Sequence, residues 1–186
     1  MIITEKDIPK EQHYSKVRMA FRRFYPAGEG EYQDFLNKLA LTGKEEHAMY
    51  LIRHFGSENT VLKLNEDSII KHLFFAGTVR SNADVIVKGH LVTGGDVITK
   101  GMLVVLGTIT VQGRINAEKD IISNGNIAVR MGIKTKGAIN HGKDKGCYIG
   151  EGLSKEEQYN VVVTAAWPPV KLVGGKWIDL KQTKQG

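Results

Sequence analysis

A glycine-marked repeat of six residues, running from Gly77 to Gly142, constrains this chain more than any other feature. Between positions 77 and 137, glycine occupies every sixth position except three, which are Ala83, Lys119 and Met131. The residue two positions after each of these grid points is always valine, leucine or isoleucine, namely Val79, Val85, Leu91, Val97, Leu103, Ile109, Ile115, Ile121, Ile127, Ile133 and Ile139. The position two residues further along is small or β-branched until His141.

A period of six is even, so every aliphatic residue of the repeat falls on the same side of an extended strand. Six is not a multiple of 3.6, which excludes a helix, and the turns of antiparallel hairpins rarely recur so regularly. The repeat therefore predicts a mainly β fold, a three-sided parallel β-helix that turns near each glycine, where bulk is poorly tolerated and φ can be positive. Three hexads per coil, from Lys71 to Gly142, give about four coils spaced roughly 4.8 Å apart.

In such a coil, residues 18 apart stack on one another and form three inner columns. The columns are Val79, Val97, Ile115 and Ile133; Val85, Leu103, Ile121 and Ile139; and Leu73, Leu91, Ile109 and Ile127. The outward residues define three faces. The first is polar and basic, with Arg80, Ile98, Asn116 and Lys134; the second is apolar, with Ile86, Val104 and Ile122 flanked by Met102 and Leu106; the third is small and weakly polar, with Val92, Thr110 and Ala128.

The apolar second face calls for a cover, because soluble proteins rarely expose a continuous apolar stripe. Two interpretations are open. The N-terminal helices or the C-terminal hairpin could pack on this face, or the face could be a contact between copies of the chain. The second interpretation makes a protein interface of five residues, Ile86, Met102, Val104, Leu106 and Ile122.

Three segments are expected along the chain: a helical N-terminal cap over 1–64, the hexad-repeat β-helix over 65–142, and a C-terminal strand and hairpin segment over 143–186. Apolar residues at helical spacing predict helices over 31–41 and 44–55, ended by Gly43 and Gly56. A basic helix or arm is expected over 15–25. A β-hairpin is expected to turn at Gly174-Gly175, and 181–186 is expected to be a frayed tail.

Composition excludes several classes of protein. No apolar run approaches the roughly 18 residues of a membrane span, and the first eleven residues do not resemble a secretion signal. The only cysteine, Cys147, cannot form an internal disulfide, which favours a reducing compartment and predicts a cytoplasmic protein. The net charge of +6 slightly favours an anionic partner.

Candidate chemical groups are few. His72 and His90 are 18 residues apart and should stack, so they could bind a metal or a proton or serve the structure, and no acidic or cysteine ligand accompanies them. Cys147 and His141 could form a nucleophile pair, but only their nearness in sequence suggests it. We expect no catalytic residue, cofactor or metal site.

A basic cluster, formed by Lys16, Arg18, Arg22 and Arg23, alternates with the aromatic residues Phe21, Phe24 and Tyr25. Basic and aromatic side chains together can bind nucleic acid. The alternative is a basic helix that packs its aromatic residues on the body of the protein.

The pattern Gly-x-Ile-x-Val-x-Gly, as in 107–113 and again from Gly125 to Val129, resembles the bactofilins, polymer-forming β-helix proteins. The resemblance covers about 70 residues of the repeat and implies a triangular right-handed β-helix that binds no nucleotide and assembles end to end into filaments. Hexapeptide acyltransferases share the period of six, but in those enzymes Gly, Ala, Asp or Glu typically follows the aliphatic residue. Only Ala128 matches that pattern here.

These observations predict a non-enzymatic β-helix scaffold that acts through protein contacts, as a homo-oligomer or with another protein. One alternative is a basic binding protein that engages nucleic acid or a nucleic-acid-processing machine, such as a phage-type inhibitor. Another is a hexapeptide-type acyltransferase.

Overall fold

Three helices and a short antiparallel sheet form one unit at the N-terminus. The computed structural model describes residues 1–180. Strand β1 (Ile2–Thr4) pairs with β2 (Glu29–Glu31), and the helices are α1 (Ser15–Phe24), α2 (Tyr32–Leu41) and α3 (Glu45–Phe55). Each helix forms where it was predicted. The small sheet was not predicted, since its three-residue strands are too short to show an alternating pattern.

The rest of the described chain forms the three parallel sheets of a β-helix. The first face consists of β3 (Val61–Leu64), β6 (Thr78–Ser81), β9 (Val97–Thr99), β12 (Ile115–Ala117), β15 (Ile133–Thr135), β18 (Val162–Ala165) and β20 (Lys176–Asp179). The second face consists of β4 (Ser68–Ile70), β7 (Val85–Val87), β10 (Leu103–Val105), β13 (Ile121–Ser123) and β16 (Ile139–Asn140). The third consists of β5 (Leu73–Phe75), β8 (Leu91–Thr93), β11 (Ile109–Val111), β14 (Ile127–Val129), β17 (Cys147–Ile149) and β19 (Leu172–Val173).

The strand register confirms the three-sided coil and its 18-residue period. Leu103 pairs with Val85 on one side and with Ile121 on the other, and Ile109 pairs in the same way with Leu91 and Ile127. All three predicted inner columns are therefore present, and their side chains form a single buried core along the axis.

The β-helix is longer than the four coils predicted. Its first face has seven strands, which corresponds to about seven turns. One coil precedes the repeat and begins at Val61, a few residues before the expected start at 65. Further coils follow it after insertions that break the period: Ile127 pairs with Cys147, and Ile133 pairs with Val163. The second insertion contains helix α4 (Lys155–Asn160), which Ser154 caps by accepting a hydrogen bond from the amide of Glu157.

The two C-terminal strands form as predicted but pair with earlier strands of the β-helix. The two strands and the turn at Gly174-Gly175 are present, with φ of 73° and 66° at the glycines. However, β19 pairs in parallel with β17, and β20 pairs in parallel with β18, so the turn joins the third face to the first. An isolated hairpin would leave its strands unpaired on both outer edges, whereas parallel stacking extends two sheets that already exist. The expected tail at 181–186 lies outside the described residues.

The grid glycines are explained by close approach and not by unusual backbone angles. A Cβ atom added to Gly113 would lie 2.6 Å from the carbonyl carbon of Gly95 in the coil below, and one added to Gly125 would lie 2.8 Å from the carbonyl oxygen of Gly107. No grid glycine from 77 to 137 has a positive φ. At these glycine positions the corners of successive coils therefore stack backbone on backbone, at distances that leave no room for a side chain.

The N-terminal unit covers the side of the β-helix, which corrects its assignment as an end cap. Its core includes Phe35, Leu36 and Ile52 together with Phe74 and Val92 of the third face. Gln33 of α2 joins the two parts, because its amide nitrogen donates to the carbonyl of Phe74 at 3.0 Å and its amide oxygen accepts from the backbone of Ala76 at 2.8 Å. Phe74 makes the third face more apolar than the later hexads suggested, and the apolar sides of α2 and α3 bury it.

Candidate protein interface

The second face carries a continuous apolar column across successive coils. The outward residues at the centre of its strands stack in the order Ile69, Ile86, Val104, Ile122 and Asn140. Ile69 is 65% exposed, whereas Ile86, Val104 and Ile122 are half-buried. The structure thus places the predicted residues Ile86, Val104 and Ile122 together and adds Ile69, which the sequence analysis missed because it precedes the glycine grid.

The two margins of this face differ in charge. The corner residues just before the strands are Asp67, Asp84, Met102, Asp120 and Ala138. The residues just after the strands are Lys71, Lys88, Leu106 and Asn124. Met102 and Leu106, two of the predicted interface residues, therefore flank Val104 on the same coil, and Leu106 is 49% exposed. The face has an apolar centre, an acidic margin and a margin that begins with lysines.

No helix within residues 1–180 packs across the second face. The core of the N-terminal unit includes residues of the third face and none of the second-face column. The C-terminal strands β18, β19 and β20 extend only the first and third faces. The interpretation in which the N-terminal helices or the C-terminal strands cover this face is therefore wrong for the described part of the chain, because the helices pack on Phe74 and Val92 of the third face instead.

The aspartates of the acidic margin also hold the corners of the coils together. Asp67, Asp84 and Asp120 each accept a hydrogen bond through Oδ1 from a backbone amide in the next coil, at 3.0, 2.8 and 2.7 Å. The bond from the amide of Met102 is the main cause that lowers the pKa of Asp84 below its ordinary value of 3.8, and Lys119 adds to it. These carboxylates form a ladder along the corner that the sequence analysis did not identify.

Replacement of this carboxylate gives a prediction about acid stability. The pKa of Asp84 is lowered in the folded state, so the unfolded chain binds the proton more readily. The ionised carboxylate therefore stabilises the fold fully above about pH 4, and this stabilisation is lost at lower pH. Asp84→Asn keeps the oxygen acceptor but cannot titrate. We expect the free energy of unfolding of this variant to fall less steeply between pH 4 and pH 2 than that of the native chain, measured by urea denaturation. Equal slopes would contradict the assignment.

His72 and His90 belong to a second ladder of the same kind. Their rings stack with centroids 5.6 Å apart, and each Nδ1 accepts from the backbone amide of the next coil, that of His90 and that of Thr108 respectively, at 3.1 Å. Burial, together with the nearby His90, lowers the pKa of His72. The statement that no acidic side chain accompanies them is wrong, because the carboxylate of Glu45 on α3 lies against Nδ1 of His90. The hydrogen bonds between coils nevertheless support the structural interpretation of the two histidines. No group of three or more His, Cys, Asp or Glu side chains within residues 1–180 is arranged to hold a metal ion.

Cys147 and His141 both bond to the backbone of Lys171, the Cys147 amide to its carbonyl at 2.8 Å and the His141 ring to its amide. Cys147 is fully buried as the next member of the third inner column, above Ile127, and burial raises the pKa of its thiol to about 12. His141 accepts a hydrogen bond through Nε2 from the amide of Lys171 at 3.1 Å. A buried, protonated thiol is a poor nucleophile, so this arrangement does not favour the pair that was considered.

The basic cluster on α1 is divided between structural contacts and solvent. Arg18 donates to the carbonyls of Pro9 and Lys10. Arg22 forms a bidentate ion pair with Glu5, in which its Nε and Nη2 each lie 2.6 Å from a carboxylate oxygen. Lys16 and Arg23 are exposed. Among the aromatic residues, Phe21 is buried and meets Phe35 edge to face at 5.2 Å. The aromatic residues therefore serve the core of the N-terminal unit, and nucleic-acid binding by the cations stays a prediction.

The described helices are all too short or too polar to cross a membrane. Comparison of the chain with known proteins finds no matching family model, no matching curated protein and no matching solved structure.

Proposed function

We propose that the protein is a non-enzymatic scaffold that associates with a second copy of itself through the second face. The observation that carries this proposal is the apolar column from Ile69 to Ile122, which no described helix covers. When a second surface excludes water from the apolar side chains of a sheet, the free energy of the associated state is lowered. A second copy presents a surface of the same curvature and spacing, so its fit follows from the repeat itself.

The size of the face indicates a weak association. Five strands about 4.8 Å apart, each contributing about five residues of width, cover roughly 400 Å² on each copy. Doubled, this area is about 800 Å², below the roughly 1,200 Å² at which standard specific interfaces begin and in the range of weak, transient contacts. Buried area does not convert directly into affinity, and a contact of this size corresponds to a weak association, with a dissociation constant of about 1 µM or above. The proposed function therefore needs a locally high concentration or several contacts at once.

Val104→Asp tests the proposal, because it places a charge at the centre of the apolar column. In the monomer this side chain points outward, so the carboxylate stays hydrated, while in the dimer it loses water without a partner. We expect the dissociation constant to rise by about 100-fold or more. Sedimentation equilibrium at a series of concentrations from about 1 to 200 µM, chosen to bracket a micromolar constant, measures this change.

Lys63→Asp provides a control, since this exposed residue lies on the first face. It should leave the association unchanged. A native chain that stays monomeric over the whole concentration range contradicts the proposed function, and so does a Val104→Asp variant that associates as strongly as the native chain. End-to-end growth, which the bactofilin resemblance implies, is not required by this proposal. Action in the cytoplasm remains part of the proposal.

A further inference from the structure

The unequal margins of the second face limit how two copies can meet. The margin residues of one coil, such as Asp84 and Lys88, are four positions apart and therefore about 13 Å apart along the strand direction. In the first two coils, the leading margin carries Asp67 and Asp84 and the trailing margin carries Lys71 and Lys88. No ion pair within residues 1–180 involves either of these lysines.

Two sheets that stack face to face around a two-fold axis have two simple arrangements. When the axis runs along the β-helix, the coil axes of the two copies are parallel, and the leading margin of each coil faces the trailing margin of the same coil in the other copy. When the axis runs along the strands, the coil axes are antiparallel, and each margin faces itself in reversed coil order. The first arrangement pairs unlike margins, and the second pairs like margins.

The residues match coil by coil in the first arrangement only. Asp67 then faces Lys71 of the other copy, Asp84 faces Lys88, Met102 faces Leu106, and Asp120 faces Asn124. Charges meet opposite charges in the first two coils, and apolar side chains meet in the third, where Val104 is central. In the second arrangement, centred on Val104, Asp84 of one copy faces Asp120 of the other, which brings like charges together on the acidic margin, and Lys88 faces the uncharged Asn124.

We infer that two copies pair through the second face around a two-fold axis parallel to the β-helix, with the acidic margin of each copy against the lysine margin of the other. This inference rests on the proposed function, because it presupposes that the second face binds a second copy. It adds the orientation, and with it the use of the charged margins. The partner is a second copy of this chain, and charge complementarity sets its direction.

Asn124 provides the test, because its charge can be changed without touching the corner ladders. The residue is exposed, and within residues 1–180 its backbone amide bonds to Val105 while its side chain accepts or donates no assigned hydrogen bond. In the parallel arrangement Asn124→Lys gains Asp120 of the other copy as an opposite charge, and Asn124→Asp meets the same carboxylate with a like charge. Two equivalent pairs form in each dimer, since the axis repeats every contact.

We expect the dissociation constant of Asn124→Lys to fall by about 3- to 10-fold at low salt, and that of Asn124→Asp to rise by a similar factor. Both changes should shrink in high salt, where screening shortens the range of charge interactions. In the antiparallel arrangement, centred on Val104, position 124 faces Lys88 of the other copy, so the two effects exchange signs. Sedimentation equilibrium of both variants at low and high salt measures them.

The outcomes separate this inference from the proposed function. If the native chain associates and Val104→Asp prevents it, the proposed function holds. Reversed signs for the two Asn124 variants, or no effect of either, then overturn the parallel pairing alone. If the native chain does not associate at all, the proposed function and this inference both fail. Thermal denaturation of the variants at a concentration far below the dissociation constant shows whether each one remains folded.

Discussion

Gly113→Ala is expected to lower the free energy of unfolding by about 1–3 kcal/mol, since overpacking of a rigid site costs this much. The added methyl would lie 2.6 Å from the carbonyl carbon of Gly95 and 2.7 Å from its oxygen. Both atoms belong to the backbone of the coil below, and hydrogen bonds on either side fix that backbone. The Gly113 amide itself bonds to the Gly95 carbonyl at 3.3 Å. The two coils cannot move apart at this corner without lengthening the hydrogen bond between Gly113 and Gly95.

Thermal denaturation followed by circular dichroism measures this effect, and a fall in Tm of about 2–12 °C corresponds to it for a chain of this length. Met131→Ala is the matched control, because Met131 occupies a grid position one coil above Gly113 but is 45% exposed. It should change stability by less than about 0.5 kcal/mol. Equal effects of the two substitutions would show that the corners do not stack as tightly as the structure indicates.

The sequence predicts the centre of this fold because the hexad encodes local geometry and stacking at once. An even period assigns Leu103 and Ile109 to the interior, and the spacing of 18 places each of them under a specific neighbour. The same logic assigns Val104 to the outside. The core columns and the apolar stripe of the candidate interface are therefore predictable from the sequence alone.

The remaining parts depend on contacts that no period encodes. The location of the N-terminal unit depends on Phe74 and on the amide of Gln33, which meet only in the folded state. The last coils depend on insertions, one of which contains α4, and on strands such as β20, which pairs with residues 14 positions earlier and not with those 18 positions earlier as the repeat does. The acidic ladder depends on which way the carboxylate of Asp84 turns, and its residue type alone does not give this.

Val92→Asp is expected to separate the N-terminal unit from the third face while the β-helix stays folded. Val92 is the outward residue of β8 and is 1% exposed beneath the helices. A carboxylate there would lose its hydration without a partner, which typically costs about 3–5 kcal/mol. The inward neighbours Leu91 and Thr93 keep their places in the coil, so the cost falls on the contact between the two parts. The helices should therefore detach before the coils unfold.

Hydrogen exchange measured by mass spectrometry distinguishes these regions. We expect amides of α2 and α3 to lose protection in Val92→Asp, while the strands from β9 to β14 remain protected. Val104→Asp is the matched control, because Val104 occupies the equivalent central outward position on the second face, two hexads further along the same repeat. At a concentration where the chain is monomeric, that variant should keep the protection of its helices. Equal loss of helix protection in both variants would contradict the packing of the N-terminal unit on the third face. Helix protection retained in both variants would also contradict the prediction, because Val92 is 1% exposed and a carboxylate in its place should disrupt the contact.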